Sequence, residues 1–324
     1  MSGDGDRWVP LSSDALRASH TEQRRVRGRR RRRAALAVSA IASVAVGAWL
    51  LTGGAGRRAH TSVAGRAEIT ARQLRPGRGG STVRASGYAT VASVVLAREN
   101  AAIDRLLARQ PLISSGGSER REIALTFDDG PGPYTPLLLD QLQRLHVPAT
   151  FFEIGFMFRW FHDSVSRELR MGEVIGDHTE THPRMALLSP AAQQSQILDQ
   201  AEWLHKYHGP FPRLWRPPYG SYDSATLAIL RRLHMLMVLW SVDSDDYLRP
   251  GVPVIVDRVL AGARPGAIIL MHDAGGDRSE TIAALPPIVH ALRKRGYRLV
   301  TIPQLILDDP PTRPQRLPAN LAGG

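Results

Sequence analysis

Two side-by-side aspartates, Asp128 and Asp129 in "TFDDGP", and two histidines four apart, His178 and His182 in "GDHTETHP", are the residues here whose types and spacing suit chemistry. Adjacent carboxylates each raise the cost of ionising the other. A bound cation removes that conflict. Two imidazoles and one carboxylate form a common catalytic zinc set that leaves positions open for water and substrate. If Asp129 joins His178 and His182, its charge is offset. Asp128 is then free to take a proton from a water activated at the metal. The bland alternatives are an aspartate capping the next helix, its neighbour solvating the turn, and two turn histidines.

Further polar residues follow apolar runs. Arg216 in "RPPYG" has a guanidinium that can hold Asp128 bidentately and aim it. Backbone N–H groups around Tyr219 in the same turn could face a developing oxyanion. His272 ends "AIILMH", and Asp246 in "DSDDY" could hold it as imidazolium, the form that protonates a leaving amine. Leu270 and Tyr247 would border an acyl-sized pocket.

These groups need a frame. From Glu119 the sequence alternates apolar runs with helical patterns. Strands are expected at "EIALTF", "ATFFEIG", "EVIGDHT", "RLW", "MLMVLWSVD" (one strand across 235–243), "GAIILMHD" and "YRLVTI". Helices are expected near 136–145, 163–171, 190–207, 223–233, 252–263 and 280–295. Alternating β and α implies parallel strands with right-handed crossovers. About seven such units close most naturally into a (β/α) barrel, whose working residues lie at the C-terminal strand ends.

The net charge of +12 is unevenly placed: residues 1–118 carry 20 Lys and Arg against 7 Asp and Glu, the remainder 22 against 23. A nucleic-acid partner is therefore not expected for the C-terminal part. The arginines concentrate in residues 1–33, a basic cytoplasmic segment. Residues 34–52 contain no charge and would make a helix of roughly 28 Å, a transmembrane anchor with the N-terminus cytoplasmic. Cleavage near Gly53–Ala55, giving a secreted protein, is the rival. Residues 53–118 read as a stem with an amphipathic helix across 91–110, 119–306 as the catalytic domain and 307–324 as a disordered tail. The chain has no cysteine, which excludes disulfides and thiolate ligands.

The motifs "TFDDG", "HTETH", "RPPYG", "DSDDY" and "LMH", in that order over about 119–306, resemble the polysaccharide deacetylase family, the NodB-homology domain of carbohydrate esterases. The resemblance implies a distorted (β/α) barrel. It implies Asp128 as base, Asp129, His178 and His182 as ligands of a divalent metal, most often Zn2+, and Arg216 as positioner of the base. It implies His272 as acid tethered by Asp246, and an acetyl pocket at Leu270 and Tyr247. The implied activity is removal of N-acetyl groups from an amino-sugar polysaccharide of the cell envelope, peptidoglycan or chitin-like. The alternatives are an O-acetyl polysaccharide esterase and a non-catalytic glycan-binding module. Two departures stand out: Tyr247 replaces the family's usual Trp, and Asp177, beside His178, reads as a solvent-facing replacement.

Overall fold

The computed structural model describes residues 86–207 and 209–315. The expected basic segment, the apolar span at 34–52 and residues 316–324 lie outside the described residues. Among the described residues no helix is long and apolar enough to cross a membrane.

Among the described residues nine strands form one parallel sheet: β1 (Leu112–Ile113), β2 (Glu122–Asp128), β3 (Thr150–Glu153), β4 (Val174–Asp177), β5 (Leu214–Trp215), β6 (Leu236–Val238), β7 (Val242–Asp243), β8 (Ala267–His272) and β9 (Arg298–Leu299). Their order is β1-β6-β5-β4-β3-β2-β8-β7, with β9 on the start of β2. The helices are α1 (Ser86–Leu107), α2 (Thr135–Leu145), α3 (Phe158–Met171), α4 (Pro190–Lys206), α5 (Ser224–Arg232), α6 (Val252–Gly262), α7 (Ser279–Lys294) and α8 (Ile302–Asp308).

The single strand expected across 235–243 is in fact two, β6 and β7, paired at opposite ends of the path. This break is what curls the sheet. Val238 and Val242 are four residue steps apart, at most about 14 Å of chain. The two ends of the sheet must therefore approach each other. The linking residues bond to both: Leu239 N–H donates to Ile113 O (2.7 Å) and Ser241 N–H to Ile268 O (3.0 Å). The end strands β1 and β7 do not pair, so the result is a curled, distorted barrel left open at one seam.

Period-two alternation gives β2 and β8 an inner and an outer face. Ala124, Ile268 and Leu270 join Phe152, Trp215 and Trp240 in the inner core. Ile123, Leu125, Phe127, Ile269 and Met271 pack outward with α2 and α7, against Leu138, Leu142, Leu285 and Ile288. Asp128 and His272 continue the inner face, two residues past Thr126 and Leu270, and are register partners at the ends of neighbouring strands. Helices α4 and α5 start where their sequences cap them: Ser189 accepts from Ala192 N–H (3.3 Å), and Asp223 forms a capping box with Thr226 ahead of α5.

Several boundaries differ from the sequence expectation: α3 starts at Phe158, five residues before the expected 163, and α1 spans Ser86–Leu107 against the expected 91–110. Ala102, Ile103 and Leu106 of α1 enter the inner core and β1 enters the sheet, so the packed fold begins before residue 119. "PLIS" is too short an apolar run to show periodicity. The expected last strand keeps only Arg298 and Leu299, because Thr301 caps α8 at Gln304. The expected tail is anchored as far as Gln315, whose side chain accepts from Ser114 and Ser115 N–H, and donates to Ser115 O (2.8 Å). Asp309 accepts from Glu119 and Arg120 N–H, both at 2.8 Å.

Outside the inner core, Glu153 at the end of β3 and Glu168 on α3 are fully buried, with each other's carboxyl as hydrogen-bond partner. Burial pushes both well above the usual carboxylate range; Glu168's charge adds to the effect on Glu153, and Asp273's to that on Glu168. Raised folded-state values mean that the fold holds protons which the unfolded chain releases. Stability from this source is present at acidic pH and lost as pH rises above the unfolded carboxylate value. Glu168→Gln is therefore expected to raise the thermal midpoint by several degrees at pH 8 and to change it little at pH 5, read by differential scanning calorimetry. An equal change at both pH values would contradict this reading.

Candidate metal and acid–base site

The site stands at the C-terminal rim, where the inner faces of β2, β4, β5 and β8 end. Backbone strain is concentrated there. Asp129 (φ 77°), Thr179 (φ 72°), His182 (φ 58°), Tyr219 (φ 59°) and Asp245 (φ 50°) all hold left-handed conformations that non-glycine residues rarely adopt. Gly275 is required opposite them: it has φ 73°, and a Cβ there would lie 2.7 Å from Asp129 Oδ2.

Asp129 Oδ1 lies 3.1 Å from His182 Nε2 and 3.6 Å from His178 Nε2. It is buried and has no hydrogen-bond partner. His178 Nδ1 lies 2.8 Å from the backbone carbonyl of Arg216, which can only accept, so Nδ1 carries the proton. With the ring proton on Nδ1, His178 Nε2 offers its lone pair, and it faces Asp129 Oδ1 and Asp128 Oδ2 (3.7 Å) across a gap. Acceptors opposed in a buried space call for a cation, and two imidazoles with a carboxylate fit a divalent transition metal. No other cluster of three such donors occurs among the described residues. Burial works against the charge of Asp129, but the adjacent imidazoles of His178 and His182 and the charge of His272 hold its carboxyl well below the ordinary range.

Asp128 is placed from behind. Arg216, fully buried, donates from Nη1 to Asp128 Oδ1 (2.7 Å) and to Thr126 Oγ1 (2.8 Å). Its other donors go to carbonyls: Nε to Val238 O (3.1 Å) and Nη2 to Leu239 O (3.3 Å). The guanidinium packs 4.1 Å over the Phe152 ring. The expected bidentate clamp is thus corrected to a single charge-assisted bond, because the link between β6 and β7 claims the other edge. Burial lowers the pKa of Arg216, and the charge of Asp128 opposes that.

On the opposite side, His272 Nδ1 donates to Asp246 Oδ1 (2.7 Å). Burial disfavours the imidazolium, but the charge and bond of Asp246 outweigh it and raise His272 to about 9. At neutral pH His272 therefore carries both ring protons, with Nε2–H turned away from Asp246.

The N–H groups of Gly220 and Ser221 are taken by Pro217 O (3.0 Å) and Pro218 O (2.9 Å), which leaves Tyr219 N–H as the turn's donor to a ligand. The Tyr219 ring meets His182 edge-on at 4.6 Å, and the Tyr247 ring meets His272 likewise at 5.5 Å. Leu270 is buried one layer below His272.

Known proteins show the same arrangement of sequence. The profile of the polysaccharide deacetylase family matches residues 115–238. A peptidoglycan-N-acetylglucosamine deacetylase of Bacillus cereus is 41% identical over 187 residues, covering 57% of this chain and 87% of the relative. The chain belongs to the polysaccharide deacetylase family. A chitooligosaccharide deacetylase of a Bradyrhizobium species is 38% identical, over 58% of this chain and 92% of the relative. The crystal structure of the Bc1960 peptidoglycan N-acetylglucosamine deacetylase superposes with a TM-score of 0.59 at 36% identity, covering 60% of this chain and 92% of that one.

Within this family frame one expectation is reversed. Asp177 is fully buried, not solvent-facing: its Oδ1 accepts from Thr179 N–H (2.7 Å), and burial raises its pKa well above the usual range. It shapes the turn that carries both histidines. Other residues that matter here had gone unnoticed. Thr126, two before Asp128 on the same strand face, was findable from the strand period. Asp273, buried and raised to about 7 chiefly by that burial, accepts from Thr135 Oγ1, which in turn accepts from Gly132 N–H (2.7 Å), bracing the turn after Asp129. No local sequence signal points to that bracing.

After chelation, adding Zn2+ at about 100 times its Kd is expected to stabilise the protein by about 2.7 kcal/mol. Asp129→Asn and His182→Gln should abolish the gain, while Asp128→Asn keeps it; calorimetry reads all three. An undiminished gain in Asp129→Asn would rule out this donor set.

Proposed function

We propose that this chain is a metal-dependent hydrolase removing N-acetyl groups from an amino-sugar polysaccharide of the cell envelope, with peptidoglycan as the first substrate. The observation that carries the reading is the pairing of opposites around one donor set: an aimed carboxylate, Asp128, on one side and a doubly protonated imidazole, His272, on the other. The named activities of the relatives, on peptidoglycan and chitooligosaccharide, support an amide of N-acetylglucosamine as the bond attacked.

Asp129, His178 and His182 would hold a divalent cation, two imidazoles and a carboxylate being a common Zn2+ set, and it would supply Lewis acidity. The rest is done by the chain's own residues. Asp128, its Oδ1 held by Arg216, presents Oδ2 toward the gap and accepts a proton from the attacking water. Tyr219 N–H donates to the acyl oxygen as charge develops there. As the C–N bond breaks, His272 gives its Nε2 proton to the leaving nitrogen, and Asp246 retains the other proton on Nδ1. Tyr247 and Leu270 flank the space for the acetyl methyl. The choice of peptidoglycan rests on tethering through residues 34–52, which would place residues 119–306 outside the cytoplasm beside the wall.

Acetate release from an N-acetylglucosamine oligomer tests the reading. Asp128→Asn is expected to lose at least a hundredfold in kcat, the lower range for a general base. The His272 imidazolium is lost as pH rises through its folded-state value, so kcat/KM should fall on the alkaline side at no higher than about pH 9. A bound cation offsets the charge of Asp129 and moves that limb down. Full activity in Asp128→Asn, or an alkaline limb unchanged by Asp246→Asn, would contradict the assigned roles.

A further inference from the structure

We propose that Thr281 is a positioning residue for the acid, holding Asp246 in the one orientation that lets it grip His272. This inference rests on the assignment of His272 as the acid given above. His272 itself is fixed: it is the last residue of β8, in register with Asp128. Asp246 is not on a strand or a long helix. It opens a single 3-10 turn, Asp246–Leu248, bounded on each side by residues in left-handed conformations, Asp245 (φ 50°) and Arg249 (φ 55°). Such a turn does not by itself direct a carboxylate.

The direction comes from the start of α7. Thr281, 1% exposed, donates from Oγ1 to Asp246 Oδ2 (2.7 Å). The same oxygen accepts from the backbone N–H of His272 (2.9 Å), which leaves Oδ1 for the imidazole. Threonine suits this post because its branched side chain is stiff about χ1. Arg278, 4% exposed, secures the surrounding backbone: Nε donates to Ala274 O (2.6 Å) and Nη1 to Asp246 O (3.5 Å). Both flanks of the dyad are thereby tied to one helix start.

Precision matters here because His272 is surrounded by competing anions. Asp128 and Asp129 from the end of β2 and Asp243 from β7 also act on it electrostatically, but Asp246 is the one bonded to the ring. If Asp246 swings, the imidazolium can turn its proton toward those acids and away from a leaving nitrogen. Thr281 therefore acts on the chemical step and not on substrate binding.

The test compares Thr281→Ser, Thr281→Ala and Thr281→Val in the metal-loaded full chain, with acetate release from an N-acetylglucosamine oligomer as the assay and His272→Ala as reference. Loss of a hydrogen bond to a charged group predicts about a tenfold fall in kcat for the Ala and Val variants. KM should stay within about twofold, and Thr281→Ser should recover most of the parental kcat. Ser and Ala differ by the hydroxyl alone, so this pair decides the matter if the Val variant does not fold. Equal kcat in Ser and Ala, or a fall carried by KM, overturns the proposal. Parental turnover in His272→Ala would instead overturn the acid assignment beneath it.

Discussion

The site depends on one buried residue acting through two of its groups. The backbone carbonyl of Arg216 accepts from His178 Nδ1 and so fixes the tautomer that turns a lone pair toward the gap. The guanidinium of the same residue reaches Asp128 and aims it. The proposed metal donor His178 and the proposed base Asp128 are thus set by one position at the end of β5. The buried guanidinium is supported on all sides: Phe152 stacks beneath it, and four oxygens take four of its five N–H donors. Replacing it by lysine would keep the charge but lose the planar fork that makes these contacts simultaneous.

The curl of the sheet makes that reach possible. The crossing residues Leu239–Ser241 bring the two sheet ends together, and Leu239 O receives the far edge of the guanidinium. The break that separates β6 from β7 therefore both curls the barrel and orients Arg216. On the other side, β2 and β8 run side by side in register, so Asp128 and His272 come level without any loop having to fold over. The rim residues in left-handed conformations are the local strain that this convergence stores.

Much of this was legible in the sequence. Long apolar runs ending in polar residues gave β2 and β8, and put Asp128 and His272 at strand ends on one rim. Helices with clear apolar stripes, such as α2, appeared within a residue or two of expectation. The failures have specific causes. "MLMVLWSVD" is apolar throughout, so periodicity could not reveal a break whose cause is pairing with two distant strands. β1 is two residues long and has no pattern of its own. Asp177 was misread because a charged residue defaults to solvent, whereas here the turn between the histidines needs an acceptor inside. Thr281 and Asp273 act through contacts that only the folded chain creates.

The central claim is that the opposed acceptors of Asp129, His178 and His182 enclose one divalent cation beside Asp128. Crystals of the metal-loaded protein, measured on both sides of the zinc absorption edge, test it most directly. The account predicts a single strong anomalous peak bounded by Asp129 Oδ1, His178 Nε2 and His182 Nε2, with His178 Nδ1 still on the Arg216 carbonyl. Stoichiometric zinc whose peak lies elsewhere, or a His178 ring turned away from that carbonyl, would contradict it.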